Sequence, residues 1–466
     1  MTIKTRFAPS PTGFLHLGNI RTALYAWLFA KINKGKFLLR IEDTDLNRLN
    51  QNSIQYIINS INWLNIDYDE KIYLQSNRLK RYQFFLNKLL NLNLAYKCYC
   101  SEKRLYNLRK LQMLNKQKPR YDRLCINNTN KKINKPYVIR FKNPKTGSVI
   151  FNDIIYGKIK FNNEELDDFI IKRTNGSFTY NFCVIVDDYD MSITHVIRGS
   201  DHINNTPRQI NIIKAIGAPI PFYIHIPIIF NHDGTKLSKR NGSMGIMEYR
   251  DCGFLPEAIL NYLVKLGWSD GNREIFSLNN LKKVFNLNSI NKSSSRLNLK
   301  KLLWINHFYI KNLPEDKILK HLIWHFNNQR ININNGPSLK NILMMFKNKY
   351  KTLKEIVENC KYFYEDFSNF NYKNYSTYLN KYSIKILKYI RNKLLKINKW
   401  DEKLIKYIIQ KASISLNISM KDICMPLRIA LTQKRESPSM YLTIYNIGKL
   451  RSIQRINMAL SFIQNL

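Results

Sequence analysis

The stretch from Phe7 to Asn19, FAPSPTGFLHLGN, constrains the fold of this chain more than any other. Phe7 and Ala8 end a short apolar run, and the segment after them has the Pro/Gly composition of a tight turn. From Ile20 onward, apolar residues recur at helical spacing. The sequence therefore predicts a strand, a turn and a helix whose N-terminal N–H groups favour a phosphate. Most junctions of this kind are only structural, so the prediction needs a second motif.

That second motif is GTKLSKR at Gly234 to Arg240, which places three basic residues around Ser238. A short basic run is commonly a solvated surface. Here it follows the apolar run Ile224–Phe230 and contains a glycine, which favours a phosphate-binding loop.

Together the two motifs resemble the signatures of class I aminoacyl-tRNA synthetases. HLGN stands where that family has its His-Ile-Gly-His motif, and KLSKR stands where it has Lys-Met-Ser-Lys-Ser. Further segments are similar to bacterial glutamyl-tRNA synthetases in the same order: FAPSPTG, RIEDTD at Arg40–Asp45, IRGSDH at Ile197–His202, MPLRIAL at Met425–Leu431 and IGKLRSIQRIN at Ile447–Asn457. The resemblance covers essentially the whole chain.

The resemblance implies an α/β fold with a Rossmann-type parallel-sheet catalytic domain, an inserted α+β domain, and an all-α stem-contact and anticodon-binding region. We expect the catalytic domain at 1–95 and 187–247, an acceptor-arm-binding insertion at 96–186, the stem-contact domain at 248–315 and the helical anticodon-binding domain at 316–466. The apolar run Phe182–Val186 is predicted to be the strand that returns the chain to the catalytic sheet.

ATP, with Mg²⁺, is the nucleotide substrate that the resemblance implies. The residues expected to bind it are Pro9, Ser10, Pro11, Thr12, Gly13, His16, Gly18, Asn19, Lys236, Leu237, Ser238, Lys239 and Arg240. His16 and Lys239 are the expected catalytic residues, because they would neutralise charge that develops on the phosphates. The substrate carboxylate would attack the α-phosphate without a protein nucleophile, and the aminoacyl group would then pass to the terminal ribose of tRNA.

An amino-acid pocket is predicted beside the nucleotide site. Glu42 follows the predicted strand Phe37–Ile41, and it can bind an ammonium group at the carboxyl end of that strand. Arg198 also follows an apolar run and suits a carboxylate. By resemblance the L-glutamate pocket contains Arg6, Ala8, Ser10, Glu42, Tyr180 and Arg198. The neutral amide of glutamine would leave the arginines poorly compensated, which favours glutamate.

Cys98, Cys100 and Cys125 have a spacing typical of a zinc knuckle. The related enzymes carry a histidine two positions after the third cysteine, where this chain has Asn127. A tetrahedral Zn²⁺ site needs a fourth ligand, and a neutral amide is a poor one. The sequence leaves Asp122, Tyr121 and water as candidates, with three free thiols as the alternative to a metal site.

The chain has 75 Lys+Arg against 33 Asp+Glu, a net charge of +42. This excess fits an RNA partner, although a composition rich in Lys, Asn and Ile is also what an AT-rich genome encodes. The resemblance implies tRNA(Glu). Seven unevenly spaced cysteines and the absence of a long apolar run predict a cytoplasmic protein without membrane contact, and we expect a monomer.

Three alternatives remain open at this point. A non-discriminating or glutaminyl-type enzyme would charge tRNA(Gln). A nucleotidyltransferase with a small-molecule acceptor would not need the basic helical C-terminal third. A non-catalytic tRNA-binding relative would not need His16, Gly18, Lys236 and Lys239 intact.

Overall fold

The computed structural model describes residues 2–44, 51–126, 135–237, 242–367, 375 and 377–464. The chain forms two compact units. The first comprises Met1–Tyr249 and Pro256–Leu302, and the second comprises Arg250–Leu255 and Leu303–Leu466. Among the described residues, no helix combines the length and apolar character that a bilayer-crossing segment requires.

The described strands all belong to the first unit. In chain order they are β1 (Lys4–Phe7), β2 (Lys36–Ile41), β3 (Tyr73–Leu74), β4 (Ala95–Cys98), β5 (Val138–Phe141), β6 (Ser148–Asp153), β7 (Gly157–Asn162), β8 (Ile170–Lys172), β9 (His195–Gly199), β10 (Phe222–Ile226), β11 (Ile229–Phe230) and β12 (Ser295–Arg296). β1, β2 and β3 pair in parallel, and β10 pairs in parallel with both β6 and β9. β7 is antiparallel to β6, and β4, β5 and β8 form a separate antiparallel sheet.

The two parallel groups of strands meet where β1 lies next to the start of β9. The backbone N–H of Thr194 donates to the carbonyl of Lys4 at 3.0 Å. The carboxyl ends of β1, β2, β9 and β10 therefore lie along one edge, where open α/β sheets bind their ligands. The predicted parallel-sheet catalytic fold is confirmed.

The helices of the N-terminal part run from α1 to α10. They are α1 (Leu17–Ile32), α2 (Gln51–Trp63), α3 (Leu79–Asn91), α4 (Glu102–Leu114), α5 (Tyr180–Asp190), α6 (Thr206–Ile216), α7 (Ile246–Asp251), α8 (Pro256–Lys265), α9 (Leu278–Val284) and α10 (Leu299–Asn312). Helix α1 has the predicted spacing, and Ile20, Leu24, Trp27 and Leu28 are all fully buried.

The second unit is all-α in its described residues, as predicted. Its helices after α10 are α11 (Glu315–Asn328), α12 (Leu339–Phe346), α13 (Leu353–Cys360), α14 (Lys381–Leu395), α15 (Glu402–Leu416), α16 (Met420–Thr432), α17 (Met440–Ile447) and α18 (Lys449–Gln464). The MPLRIAL segment lies in α16 and most of IGKLRSIQRIN lies in α18.

One predicted element is wrong. Phe182–Val186 belongs to helix α5, not to a strand. A short, continuous apolar run does not distinguish a buried strand from a buried helix, and every residue of this run is buried in a core shared with α3, α6 and β8. The helix places Asp187 and Asp188 in its last turns, both buried.

Candidate active site

The first motif forms a turn that leads directly into α1, and His16 caps this helix. Its Nδ1 accepts hydrogen bonds from the backbone N–H groups of Gly18 at 3.1 Å and Asn19 at 3.3 Å. Asn19 Oδ1 accepts in return from the His16 backbone N–H at 3.1 Å, which completes a capping box. Since Nδ1 accepts, a neutral His16 ring carries its proton on Nε2, so this nitrogen is a donor.

A cavity of about 730 Å³ lies at the carboxyl ends of β1, β2, β9 and β10. The predicted site residues that line it are Arg6, Ala8, Pro9, Ser10, Thr12, His16, Gly18, Asn19, Glu42, Tyr180, Arg198, Lys236 and Leu237. Pro11 and Gly13 lie in the turn but are not among the residues that line the cavity. Ser238, Lys239 and Arg240 lie outside the described residues, so the role of Lys239 stays a prediction.

Arg6 and Glu42 belong to a buried ion-pair network behind the cavity. Arg6 Nε donates to Asp188 Oδ1 at 3.1 Å, and Arg40 Nη1 donates to the same oxygen at 2.6 Å. Arg40 also contacts Glu42 Oε1 through Nη2 at 3.3 Å. Asp188 therefore connects the two arginines, and Arg40 links this cluster to the residue expected to bind the substrate ammonium.

The environment of Glu42 shifts its ionisation. Burial raises the pKa of the Glu42 carboxyl to about 6, although the charges of Arg40 and Arg6 oppose this change. At neutral pH the side chain is thus an anion in a desolvated site, where attraction for a cation is strong. This is the charge that an α-ammonium group requires.

Arg198 donates hydrogen bonds to a different set of partners. Its Nη1 donates to Gln209 Oε1 at 2.8 Å and its Nη2 donates to Thr206 Oγ1 at 2.7 Å. Its Nε donates to His225 Nε2 at 3.1 Å. Within the described part of the chain, no carboxylate contacts this buried guanidinium, so its positive charge can attract a ligand carboxylate.

Tyr180 and His202 complete this side of the cavity, with Tyr180 Oη 3.2 Å from His202 Nδ1. Burial lowers the pKa of His202 to about 4, and the positive charge of Arg198 contributes in the same direction. His202 is therefore neutral near pH 7. Arg198 remains the cation of this part of the pocket.

Several residues of the site were given no role by the sequence, namely Arg40, Asp188, Thr206, Gln209 and His225. Their segments stand out as motifs or as strand ends, but a motif does not indicate which of its side chains meet in space. The signal available in the sequence was the presence of polar residues next to apolar runs. Partners such as Arg6 and Asp188, which are 182 positions apart, require the fold.

The three cysteines predicted to bind a metal do lie together. The Sγ atoms of Cys98, Cys100 and Cys125 all lie within 4.8 Å of one another. Tyr121 Oη is 3.3 Å from Cys98 Sγ and 3.5 Å from Cys100 Sγ. Asp122 instead forms an ion pair with Arg104.

This arrangement fits Zn²⁺. Four ligands around a tetrahedral ion at about 2.3 Å for thiolates stand about 3.7 Å apart, and Cys100 Sγ is 3.6 Å from Cys125 Sγ. Of the candidates for the fourth ligand, Tyr121 is the one directed at the thiols. Asn127 lies outside the described residues.

Comparison with known proteins agrees with this geometry. The family model described as "tRNA synthetases class I (E and Q), catalytic domain" matches residues 2–304, and the one described as "Anticodon binding domain" matches residues 317–460. The fold and the site thus define a class I tRNA synthetase.

Two solved structures resemble the chain over its full length. A glutamate tRNA ligase from Elizabethkingia meningosepticum CCUG26117, in complex with its amino acid, is 30% identical with a TM-score of 0.84. A glutamate-tRNA synthetase from Elizabethkingia anophelis is also 30% identical, with a TM-score of 0.81. Each alignment covers 99% of this chain and 100% of the other. The chain belongs to the class I tRNA synthetases for glutamate and glutamine, whose members are ATP-dependent ligases.

Proposed function

We propose that this chain is a glutamate–tRNA ligase, which activates L-glutamate with ATP and transfers the glutamyl group to the 3′ end of tRNA(Glu). The observation that carries the proposal is one cavity lined by Glu42, Arg198 and the N-terminus of α1. An anion for the substrate ammonium, a cation for its side-chain carboxylate and a phosphate-binding helix terminus thus surround a single space.

Glutamate is favoured over glutamine by the partners of Arg198. Its acceptors are Gln209, Thr206, His225 and the carbonyl oxygen of His202, and all of them are neutral. A carboxylate would compensate the buried charge of Arg198, whereas a neutral amide would not. A site discriminates strongly against a substrate that leaves its buried charged groups without a partner. No feature of the described residues favours a non-discriminating enzyme over one that charges tRNA(Glu) alone.

The chemistry needs no covalent enzyme intermediate. Glu42 and Arg198 would hold the two ends of glutamate so that its α-carboxylate faces the α-phosphate, while the α1 N-terminus and His16 Nε2 stabilise phosphate charge. Mg²⁺, bound with ATP, would add positive charge at the phosphates. Lys239 is proposed as a further cation there.

We propose that different segments of the chain bind different parts of the tRNA. Residues 1–95 and 187–247 would perform catalysis, 96–186 would bind the acceptor arm, 248–315 would contact the stem and 316–466 would bind the anticodon. The family match at 317–460 supports the last of these roles. The net charge of +42 supports a polyanionic partner throughout. We propose a monomer that works in the cytoplasm.

Zn²⁺ is proposed as a structural ion in the 96–186 segment. Cys98, Cys100, Cys125 and Tyr121 would hold it. The ion would fix the fold around these residues and take no part in the reaction.

The test is aminoacylation of total tRNA by the purified chain with ATP and Mg²⁺, with labelled glutamate and glutamine in parallel reactions. We expect charging with glutamate alone, and sequencing of the charged fraction should recover tRNA(Glu). Charging with glutamine would overturn the proposed pocket. Recovery of tRNA(Gln) charged with glutamate would show a non-discriminating enzyme.

A further inference from the structure

We propose that Asp153 and His225 form a positioning pair that fixes the Arg198 guanidinium for the side-chain carboxylate of the amino-acid substrate. This inference rests on the proposed function, in which Arg198 binds that carboxylate. Neither Asp153 nor His225 lines the cavity, so both would act through Arg198 and not through contact with substrate.

The donors of Arg198 are almost completely engaged by the protein. Besides its contacts with His225, Gln209 and Thr206, its Nη2 lies 3.5 Å from the carbonyl oxygen of His202. A guanidinium has five N–H groups, so at least one Nη1 N–H remains for a ligand. The contacts from three sides hold the plane of the guanidinium, so that the remaining N–H is directed for a single contact with a carboxylate.

The hydrogen bonds to Asp153 determine which nitrogen of His225 faces Arg198. Asp153 Oδ2 accepts from the backbone N–H of His225 at 3.0 Å and lies 2.8 Å from its Nδ1. A carboxylate only accepts, so Nδ1 carries the proton and Nε2 is the acceptor that Arg198 Nε needs. Asp153 is itself held, because its Oδ1 accepts from the backbone N–H groups of Ile155 and Tyr156, both at 2.9 Å.

Burial excludes solvent from the hydrogen bonds of Asp153 and His225. Asp153 is 2% exposed and His225 is fully buried, and the His225 ring stacks on Tyr223 at 6.0 Å between centroids. Desolvation lowers the pKa of His225, although its bond to Asp153 opposes this change. A neutral imidazole is the form that can accept from Arg198.

Arg198 differs from Arg6 in that its side chain is bonded to the neutral imidazole of His225 and not to a carboxylate. Arg6 is paired directly with the carboxylate of Asp188, which it shares with Arg40. At Arg198 the carboxylate of Asp153 is displaced by the width of the His225 ring. The arginine is therefore oriented without a direct ion pair, and it keeps more of its attraction for an incoming carboxylate.

The test compares two substitutions of similar size at His225. His225→Gln retains an acceptor for Arg198 Nε, whereas His225→Asn retains a donor to Asp153 but offers Arg198 no acceptor at that distance. In aminoacylation of tRNA, we expect His225→Asn to raise the KM for glutamate roughly tenfold or more, as for a lost bond to a charged group. We expect His225→Gln to stay within about threefold of wild type, and the KM for ATP to be unchanged in both.

A third substitution, Asp153→Asn, frees the His225 tautomer and should also raise the KM for glutamate with little change for ATP; it tests the proposal if His225→Asn does not fold. His195→Gln, on the neighbouring strand and outside the cavity, is the matched control. Equal KM values for glutamate in His225→Gln and His225→Asn, or a parallel loss for ATP and glutamate, would overturn the positioning role alone. A wild-type chain that charges no glutamate would overturn the proposed function and this inference together.

Discussion

Lys236 of the basic loop is paired with Asp201, with its Nζ 3.2 Å from Asp201 Oδ2. Both side chains are about half exposed, at 48% and 45%, so the pair contributes at most about 1 kcal/mol. Its importance is functional, because Lys236 lines the cavity and is expected to contact ATP. While it is bound to Asp201, the ammonium group is partly withheld from phosphate.

Asp201→Asn should therefore strengthen ATP binding. Removing a competing carboxylate is expected to lower the KM for ATP by about two- to fivefold, which corresponds to the free energy of an exposed pair. The effect should shrink at high salt, and aminoacylation kinetics at two ionic strengths would measure both. A raised KM for ATP would instead show that Asp201 supports the nucleotide or its Mg²⁺.

Glu42→Gln should raise the stability of the chain at pH 8 while it lowers the activity. Burial raises the pKa of Glu42 to about 6, above the value near 4.5 of an unfolded glutamate. Its contribution to stability is thus fully present below pH 4.5 and is lost as pH rises through 6, at a cost of about 2 kcal/mol. Glu42→Gln should then melt about 3 °C above wild type at pH 8 and at the same temperature near pH 4.5.

The same variant should charge glutamate roughly a hundredfold more slowly, since the substrate ammonium loses its counter-ion. Differential scanning calorimetry and aminoacylation measure the two effects. Glu70→Gln is the control, because Glu70 lies between Lys4 and Lys36 away from the cavity. A Glu42→Gln chain that melts below wild type at pH 8 would contradict the desolvation account.

The cysteine cluster should bind one zinc ion per chain, measured by elemental analysis of the purified protein. Cys125→Ser is expected to lose it, and Tyr121→Phe to release it faster to a chelator, because one of four ligands is removed. Cys424→Ser is the matched control, since Cys424 lies in α16 outside the cluster. Metal-free wild-type protein, purified with zinc in all buffers, would leave the three residues as thiols.

Helix α4 should contact tRNA. None of its residues is buried, and it exposes Lys103, Arg109 and Lys110. The double substitution Arg109→Glu and Lys110→Glu is expected to raise the KM for tRNA roughly tenfold at low salt while the KM for glutamate stays constant. Lys80→Glu, at an exposed position of α3, is the control. An unchanged KM for tRNA would argue against an acceptor-arm role for this segment.

Local signals predicted the parts of the fold that sequence neighbours determine. The turn after Phe7, the apolar stripe of α1 and the strand that precedes Glu42 all rest on short-range spacing, and each is confirmed. The strand predicted at Phe182–Val186 is a helix because every residue of that run is buried, so the run has no polar positions from which a period could be inferred.

The supporting residues of the site could not be predicted for a different reason. Asp188 follows the run Phe182–Val186 that the sequence predicts to be a strand, but as part of α5 it bonds Arg6 and Arg40. His225 lies within the apolar run Ile224–Phe230, and the sequence gives it no role. Which atoms it bonds depends on β6 and β9 lying on either side of β10, and no single segment encodes that.

The pairing of β6 with β10 has a consequence for synthesis of the chain. Arg6 and Glu42 leave the ribosome early, whereas Asp153 and His225 come much later, and β6 reaches its place beside β10 only after His225 has emerged. Contacts between residues so far apart in the sequence form late in folding, because the entropy cost of closing the loop between them must first be offset by packing. On the proposed role of His225, we expect a nascent chain arrested before this residue to carry the early motifs and still lack the pair that positions Arg198 for the amino acid.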